Sequence, residues 1–179
     1  MRLVLASMMV CLFLFLPVVS AVQLPMSYKH DPFTVTVSSY QLSADNQHAT
    51  VYGTAQSDSP VTIRILSADG TVKTLDGRLL GSGYTDRQYN LVPHMPAQAE
   101  VYLISYYSYE QLGQLNIQTV RLHAELRYCV VVGWWCVPIS PAPFYTLPPY
   151  TSVRCDWFSC TVIYDRAFSL SELAQIAQE

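Results

Sequence analysis

The sequence predicts an all-β fold: an antiparallel β-sandwich, followed by a disulfide-stapled C-terminal extension and a short terminal helix. Several segments alternate apolar and polar residues with a period of two, and turn signals separate them at near-regular intervals. Thirteen Tyr and eleven Pro against seven Gly also favour strands and turns over helices. No helical periodicity occurs before the extreme C-terminus, so alternating β and α units are not expected.

The strands are expected in order within residues 22–127. The segments with strand character are 33–38, 49–54, 61–66, 71–75, 88–92, 101–107 and 115–126. Asp69 and Gly70 are typical of a hairpin turn, because glycine accepts the positive φ that such turns need. Residues 77–86 are expected to form a loop. Segment 101–107 is apolar on both faces, which predicts a central strand with four buried side chains: Val101, Leu103, Ile104 and Tyr106.

Composition excludes some classes of protein. Of the 179 residues, 51% are hydrophobic and 13% are charged. Disordered chains have the opposite balance, so we expect a folded domain with a sizeable core. The formal net charge is −3, with only ten Lys and Arg residues. Nucleic-acid binding needs a basic surface, so no nucleic-acid partner is expected.

The N-terminus has the organisation of a secretory signal peptide. Arg2 gives a positive start, residues 3–19 are almost entirely apolar, and small residues end the run at Ala21. We predict a signal peptide over residues 1–21 and a mature chain that begins at Val22. A transmembrane anchor is the alternative, since it needs about 20 apolar residues, but Pro17 and the small residues favour cleavage. The expected product is secreted and extracellular, with no membrane span after cleavage.

Four cysteines follow the signal: Cys129, Cys136, Cys155 and Cys160. An even number of cysteines in an exported chain predicts two disulfide bonds. Nested pairing (Cys129–Cys160 and Cys136–Cys155) would tie two strands together, whereas local pairing (Cys129–Cys136 and Cys155–Cys160) would close two small loops. Local pairing is slightly favoured because residues 133–135 could form a turn. Zinc is the alternative use of four thiolates, but the spacing differs from that of zinc sites and no His lies nearby. No metal or cofactor is expected.

Residues 128–179 are predicted to form a Cys-, Pro- and aromatic-rich extension, a partial second β domain after a sandwich over 22–127. Five prolines within 138–149 exclude a central strand and indicate an extended connector. Ser169 and Glu172 have the spacing of a capping box, which predicts a helix over 170–178. Aromatic residues cluster around the cysteines, and we expect them to pack against the disulfides instead of forming an exposed recognition patch: Trp134, Trp135, Tyr145, Tyr150, Trp157 and Phe158.

No catalytic constellation is visible, and the protein is not expected to be an enzyme. His30 and Asp31 lack an accompanying nucleophile, and Gly81-Ser82-Gly83 lacks the spacing of a nucleophile elbow. The other histidines are scattered without metal-ligand spacing: His48, His94 and His123.

Residues 91–107 contain a turn followed by a strand. Leu-Val-Pro-His-Met-Pro-Ala at 91–97 leads into Ala-Glu-Val-Tyr-Leu-Ile-Ser-Tyr-Tyr at 99–107. This resembles the α2-macroglobulin and thioester-containing protein family, in which a Pro-x-Met-x-Pro turn precedes an apolar strand ending in Tyr-Tyr. Residues 60–70 and 110–122 resemble the flanking strand and hairpin. The turn here is one residue shorter than in the family, and the Gly-Cys-Gly-Glu-Gln thioester motif is absent.

The resemblance implies a macroglobulin-like β-sandwich of the immunoglobulin or fibronectin-III kind. It also implies a secreted binding module with a role in endopeptidase inhibition or innate defence, and an extracellular protein partner such as a protease. It does not imply the family's trapping mechanism, which requires parts that this chain lacks. The alternative is a secreted adhesive or structural β-sandwich protein without inhibitor activity.

Overall fold

The computed structural model describes residues 24–30, 33–140, 149–169 and 171–172. Its strands are β1 (Met26–His30), β2 (Phe33–Leu42), β3 (His48–Ser57), β4 (Ile63–Thr74), β5 (Leu79–Tyr84), β6 (Tyr89–Leu91), β7 (Ala97–Ser105), β8 (Thr119–Val132), β9 (Trp135–Val137), β10 (Thr151–Cys155) and β11 (Cys160–Ser169). A short helix, α1 (Tyr109–Gln114), connects β7 to β8. The predicted signal peptide lies outside the described residues.

The strands form one antiparallel sheet. Hydrogen bonding runs in the order β1-β2-β3-β7-β5-β4-β8-β11-β10, while β6 pairs with β4 and β9 pairs with β8. The prediction of an all-β antiparallel fold is therefore confirmed. The packing of the strands as a sandwich stays a prediction.

One face of the sheet carries the core. In β8, Val120 and Leu122 are buried while Arg121 between them is exposed, because successive side chains point to opposite faces. Partners across the ladder follow the same alternation, so Phe168 of β11 lies opposite Val120. The largest core cluster joins β2, β3, β4, β5, β7, β8 and β11 through these buried residues: Val37, Ala49, Val51, Val72, Leu80, Leu103, Val120, Leu122, Tyr164 and Phe168.

The predicted turn at Asp69 and Gly70 is wrong. Strand β4 continues through both residues, and Gly70 is paired on one side with Gly83 and on the other with Ala124. The chain turns instead at Gly77, whose φ is +90°. The segment predicted as a loop contains β5, since Gly81 and Gly83 lie within ladder pairs to β4 and β7.

The predicted core of β7 is right on one face and wrong on the other. Strand β7 lies between β3 and β5, and Leu103 is only 2% exposed. Tyr106, just after the strand, is 48% exposed, and its hydroxyl lies 3.2 Å from Ser82 Oγ on the solvent side. Val101 and Ile104 are half-buried. A strand that is apolar on both faces is therefore buried here on one face only.

The C-terminal residues belong to the same sheet as the rest. The boundary predicted after residue 127 falls inside β8, which runs from Thr119 to Val132. Strand β11 pairs with β8 over ten residue pairs, and its Tyr164 and Phe168 join the core that β2 and β3 help to form. Residues 160–169 thus form a strand beside β8, and residues 151–155 form the next strand outward, beside β11.

Two helical segments begin with a capping serine. Residues 109–114, which show no helical periodicity in the sequence, form α1, whose N-cap Ser108 accepts from the amide of Gln111 while the Gln111 side chain accepts from the amide of Ser108. Farther on, the amide of Glu172 donates to Ser169 Oγ at 3.2 Å, as the predicted capping box requires. The rest of the helix expected over 170–178 lies outside the described residues.

Candidate functional site: two aromatic hairpin tips

The first tip, Val132–Trp135, joins β8 to β9. Val131 pairs with Cys136 and Val132 with Trp135, and Gly133 supplies a φ of +60° that closes the turn. Just below the turn, Cys129 and Cys136 form a disulfide. The bond closes the base of this hairpin, so the tip is held to the end of β8.

The second tip, Asp156–Ser159, joins β10 to β11. Cys155 and Cys160, which are direct partners in the ladder, form the other disulfide at its base. The Asp156 carboxylate accepts the amides of Phe158 and Ser159 at 2.8 and 2.7 Å. These two backbone hydrogen bonds hold the pKa of Asp156 below its ordinary value. With Cys129–Cys136 and Cys155–Cys160 both present, the structure contains the local pairing of the cysteines.

Arg127 ties the second tip to β8. Its Nε donates to Ser159 Oγ at 2.7 Å, and its Nη2 lies 3.2 Å from Asp156 Oδ2. The guanidinium thus bonds both ends of the turn from a position inside the sheet. The positive charge of Arg127 also balances the negative charge of Asp156.

Both tips lie at the same end of the sheet. Val130 pairs with Ile63 of β4 on one side, so its other partner, Val137 of β9, lies on the opposite side of β8. That is also the side of β11, whose Cys160 pairs with Tyr128. Strand β9 and the β10–β11 turn therefore follow each other along one edge of β8, and both tips lie beyond Tyr128 toward the same end of the sheet.

Four aromatic side chains at these tips are open to solvent. Trp134 is 99% exposed, Trp157 90%, Trp135 78% and Phe158 73%. They include all three tryptophans of the chain. The expectation that they pack against the disulfides is wrong, because side chains at the end of a tight hairpin point away from the sheet that holds the cysteines. The sequence located the cluster, but its exposure depends on the two turns.

The remaining members of the predicted aromatic cluster do not join the tips. Tyr150 precedes β10 at the strand's far end, and the guanidinium of Arg166 lies 4.9 Å from its ring centroid. Tyr145 lies outside the described residues.

The stretch that forms the first tip is uncharged. From residue 128 to residue 153 the chain contains no Lys, Arg, Asp, Glu or His. The nearest charges along the chain are Arg127 and Arg154, which lie in strands at the level of the disulfides. The first tip therefore carries aromatic residues and no charge, whereas the second tip begins with Asp156, which is paired with Arg127.

The charged residues on the outer face of β8 and β11 form a separate ion-pair network. Arg121 donates two hydrogen bonds to Asp165, at 2.7 and 2.9 Å, and these keep the pKa of Asp165 below its ordinary value. His123 lies between two carboxylates, with Nδ1 3.4 Å from Asp165 and Nε2 3.1 Å from Glu125. These contacts link neighbouring strands on the exposed face.

The other residues considered for chemistry lie apart. His48, the first residue of β3, contacts Asp45 in the preceding turn, His94 contacts Asp58, and Ser82 lies within β5. The side chains of His30 and Asp31 are outside the described part of the chain. Within the part that is described, no three His, Cys, Asp or Glu side chains are grouped as metal ligands. Among these described residues, no helix is both long enough and apolar enough to cross a membrane.

Comparison with known proteins leaves the chain without an assigned family. No protein-family model matches it, and no curated protein matches it. Among solved structures it is similar to a crystal structure of a protein from Archaeoglobus fulgidus, with a TM-score of 0.40 and 9% identity, over 80% of this chain and 97% of that one. A likeness at this level indicates neither a family nor a function.

Proposed function

We propose that the protein is a secreted, extracellular binding module that recognises its partner through the two aromatic tips. One observation carries the proposal: all three tryptophans of the chain stand exposed at two neighbouring hairpins, each closed by a disulfide. Exposing large aromatic rings to water is unfavourable, and contiguous exposed apolar patches mark interaction sites.

The disulfides support a binding role in a second way. Binding loses affinity when a flexible loop must be ordered, and cross-links reduce that cost by fixing the loop beforehand. Cys129–Cys136 and Cys155–Cys160 each lie directly below the exposed rings. Disulfides also persist in oxidising compartments, which agrees with the export that the N-terminal sequence predicts.

The experiment is a binding assay on the outer surface of the cells that export the protein. Purified, fluorescently labelled protein is compared with a variant in which Trp134 and Trp157 are both replaced by Ser. Leu75→Ser is the matched control. Leu75 is an apolar residue that is 68% exposed, and it lies far from the tips, since Thr74 before it pairs with Val120 at the opposite end of β8. We expect the tip variant to lose at least tenfold in bound fraction and the control to bind like the wild type. Equal binding by all three proteins would contradict the proposal.

Protease inhibition is a separate candidate function, which the exposed tips do not support. It rests on the resemblance of residues 33–126 to the macroglobulin family, whereas the tips lie in residues 132–159. Inhibition assays against endopeptidases of several classes test it directly. A negative result would remove the inhibitor role and leave the binding proposal in place.

A further inference from the structure

The shape of the tips bears on what they bind. Residues that dominate protein–protein binding usually fit well-packed pockets on the partner. Here two separate turns lie at the same end of the sheet, and most of the surface of their four rings is exposed. A partner surface that deforms around each ring would accommodate both turns without a matching pair of pockets.

The residue types suit the boundary between lipid headgroups and hydrocarbon. Tryptophan is enriched at that depth because its ring is apolar while its N–H can still reach a polar group. Trp134, Trp135 and Trp157 have this character, and Phe158 and Val132 add apolar surface beside them.

The charges fall in layers that match a membrane surface. Charged side chains are costly within a bilayer, and residues 128–153 contain none. Arg127 and Asp156 pair with each other at the base, and Arg154 is exposed there. Along β8, Val132 lies about 17 Å beyond Arg127 at ordinary strand spacing. An apolar face typically enters the interface by roughly 5–10 Å, so the first tip can enter while Arg127 stays among headgroups or water. Trp157 and Phe158 lie nearer to the level of Arg127, because Cys160 pairs with Tyr128, and they therefore enter less deeply.

We propose that the partner of the tips is the interface of a lipid bilayer with zwitterionic headgroups, into which Trp134, Trp135, Trp157 and Phe158 insert. This rests on the proposed binding role and adds the identity of the partner. The protein lies on the membrane and does not span it. The first tip is uncharged, Asp156 of the second tip is paired with Arg127, and the chain has a net charge of −3, so attraction to anionic lipid contributes little.

The protein carries its own reporter of insertion. Because every tryptophan lies at a tip, tryptophan emission, excited at a wavelength that tyrosine does not absorb, reports on the tips alone. The disulfide-intact protein is mixed with vesicles of phosphatidylcholine, and binding is measured by sedimentation. We expect a blue shift of the emission and quenching by lipids brominated near the top of the acyl chain. Raising NaCl from about 0.1 to 0.5 M, or adding phosphatidylglycerol, should change the bound fraction less than twofold.

Variants of the tip residues distinguish insertion of the aromatic rings from binding to vesicles by another part of the surface. Trp134→Ser/Trp135→Ser and Trp157→Ser/Phe158→Ser should each lower the partition coefficient about tenfold or more, while Leu75→Ser leaves it unchanged. Thermal unfolding checks that each variant folds. Absence of binding to vesicles, binding that the tip variants retain, or binding that appears only with anionic lipid and is lost in salt would each overturn the membrane proposal. If the tips are required on cells but vesicles are not bound, the partner is a protein or glycan, and the binding role itself stands.

Discussion

The hydroxyl of Tyr128 donates to the carbonyl oxygen of Ile139 at 2.9 Å. Tyr128 is a buried residue of β8, and Ile139 follows β9, so this bond fixes the chain that leaves the first tip against the sheet. Burial raises the pKa of Tyr128 to about 12. The hydroxyl that anchors the exit of the hairpin is therefore held in its protonated form.

Tyr128→Phe should change how stability depends on alkaline pH. The pKa of Tyr128 is about 12 in the folded protein, above the ordinary tyrosine value of 10.0, so the unfolded chain releases its proton first. The free energy of unfolding should fall as pH rises from about 10 to 12, and part of this fall should vanish in Tyr128→Phe. Near neutral pH the variant should lose about 0.5–1.5 kcal/mol with the hydrogen bond.

Urea unfolding at a series of pH values measures both effects. Tyr106→Phe, which removes a half-exposed hydroxyl, is the control for loss of a tyrosine. An identical alkaline slope in the wild type and Tyr128→Phe would show that Tyr128 is not the group responsible.

Replacement by alanine should have very different effects on stability at two phenylalanines of the C-terminal region. Phe168 is 2% exposed and packs in the main core, so Phe168→Ala should cost about 3–5 kcal/mol of stability. Phe158 is 73% exposed at the second tip, so Phe158→Ala should stay within about 0.5 kcal/mol of the wild type. Chemical denaturation measures both values. Similar costs would contradict either the place of β11 in the core or the exposure of the tip.

Local pattern in the sequence predicted much of the sheet but not its turns or its limits. Alternation in residues 33–38 and 49–54 predicted parts of β2 and β3, since one buried face leaves a direct trace in residue order. Asp69-Gly70 predicts a turn because that pair is common in hairpin turns, yet glycine also occurs within strands, where it is less favoured. Which use applies depends on partners such as Ala124, which lies far along the chain.

The structure of the two tips also depends on contacts that local sequence pattern does not reveal. Their aromatic and cysteine residues were visible in the sequence, and Gly133 beside Trp134 marked a turn. Whether the rings fold back on the disulfides or project depends on which strands flank each hairpin. Strand β8 continues past the expected boundary at residue 127, so the tips extend from the main sheet and not from a separate small unit. The uncharged run over 128–153 was the signal that could have indicated exposure to an apolar partner.

Gly53→Ala should be among the most damaging small substitutions in the protein. A Cβ at Gly53 would lie 2.2 Å from the carbonyl oxygen of Thr36, a backbone atom in the neighbouring strand that cannot rotate away. We expect a loss of about 3 kcal/mol or more. Gly113→Ala is the matched control, since nothing lies within 4 Å and the residue is in α1, where alanine is favoured by about 0.5–1 kcal/mol. Thermal unfolding of both variants checks the contrast, and a stable Gly53→Ala protein would mean that β2 and β3 are not this close.

Loss of the disulfides should lower stability without dividing the protein into two units. Each bond closes a short loop, which typically contributes about 2–3 kcal/mol by restricting the unfolded chain. Because Tyr164 and Phe168 share a core with Val37 and Val51, the sheet should still unfold in one transition, at a lower temperature.

Calorimetry with and without reductant measures the shift, and hydrogen exchange locates the loosened segments. We expect faster exchange confined to residues 130–137 and 155–160, with β3 and β7 unchanged under conditions well below the transition. The double variants Cys129→Ala/Cys136→Ala and Cys155→Ala/Cys160→Ala assign the effect to each tip in turn. Two separate transitions after reduction would instead show that residues beyond 127 unfold as an independent extension. Free thiols in the unreduced protein, or bound zinc in place of disulfides, would contradict the local pairing itself.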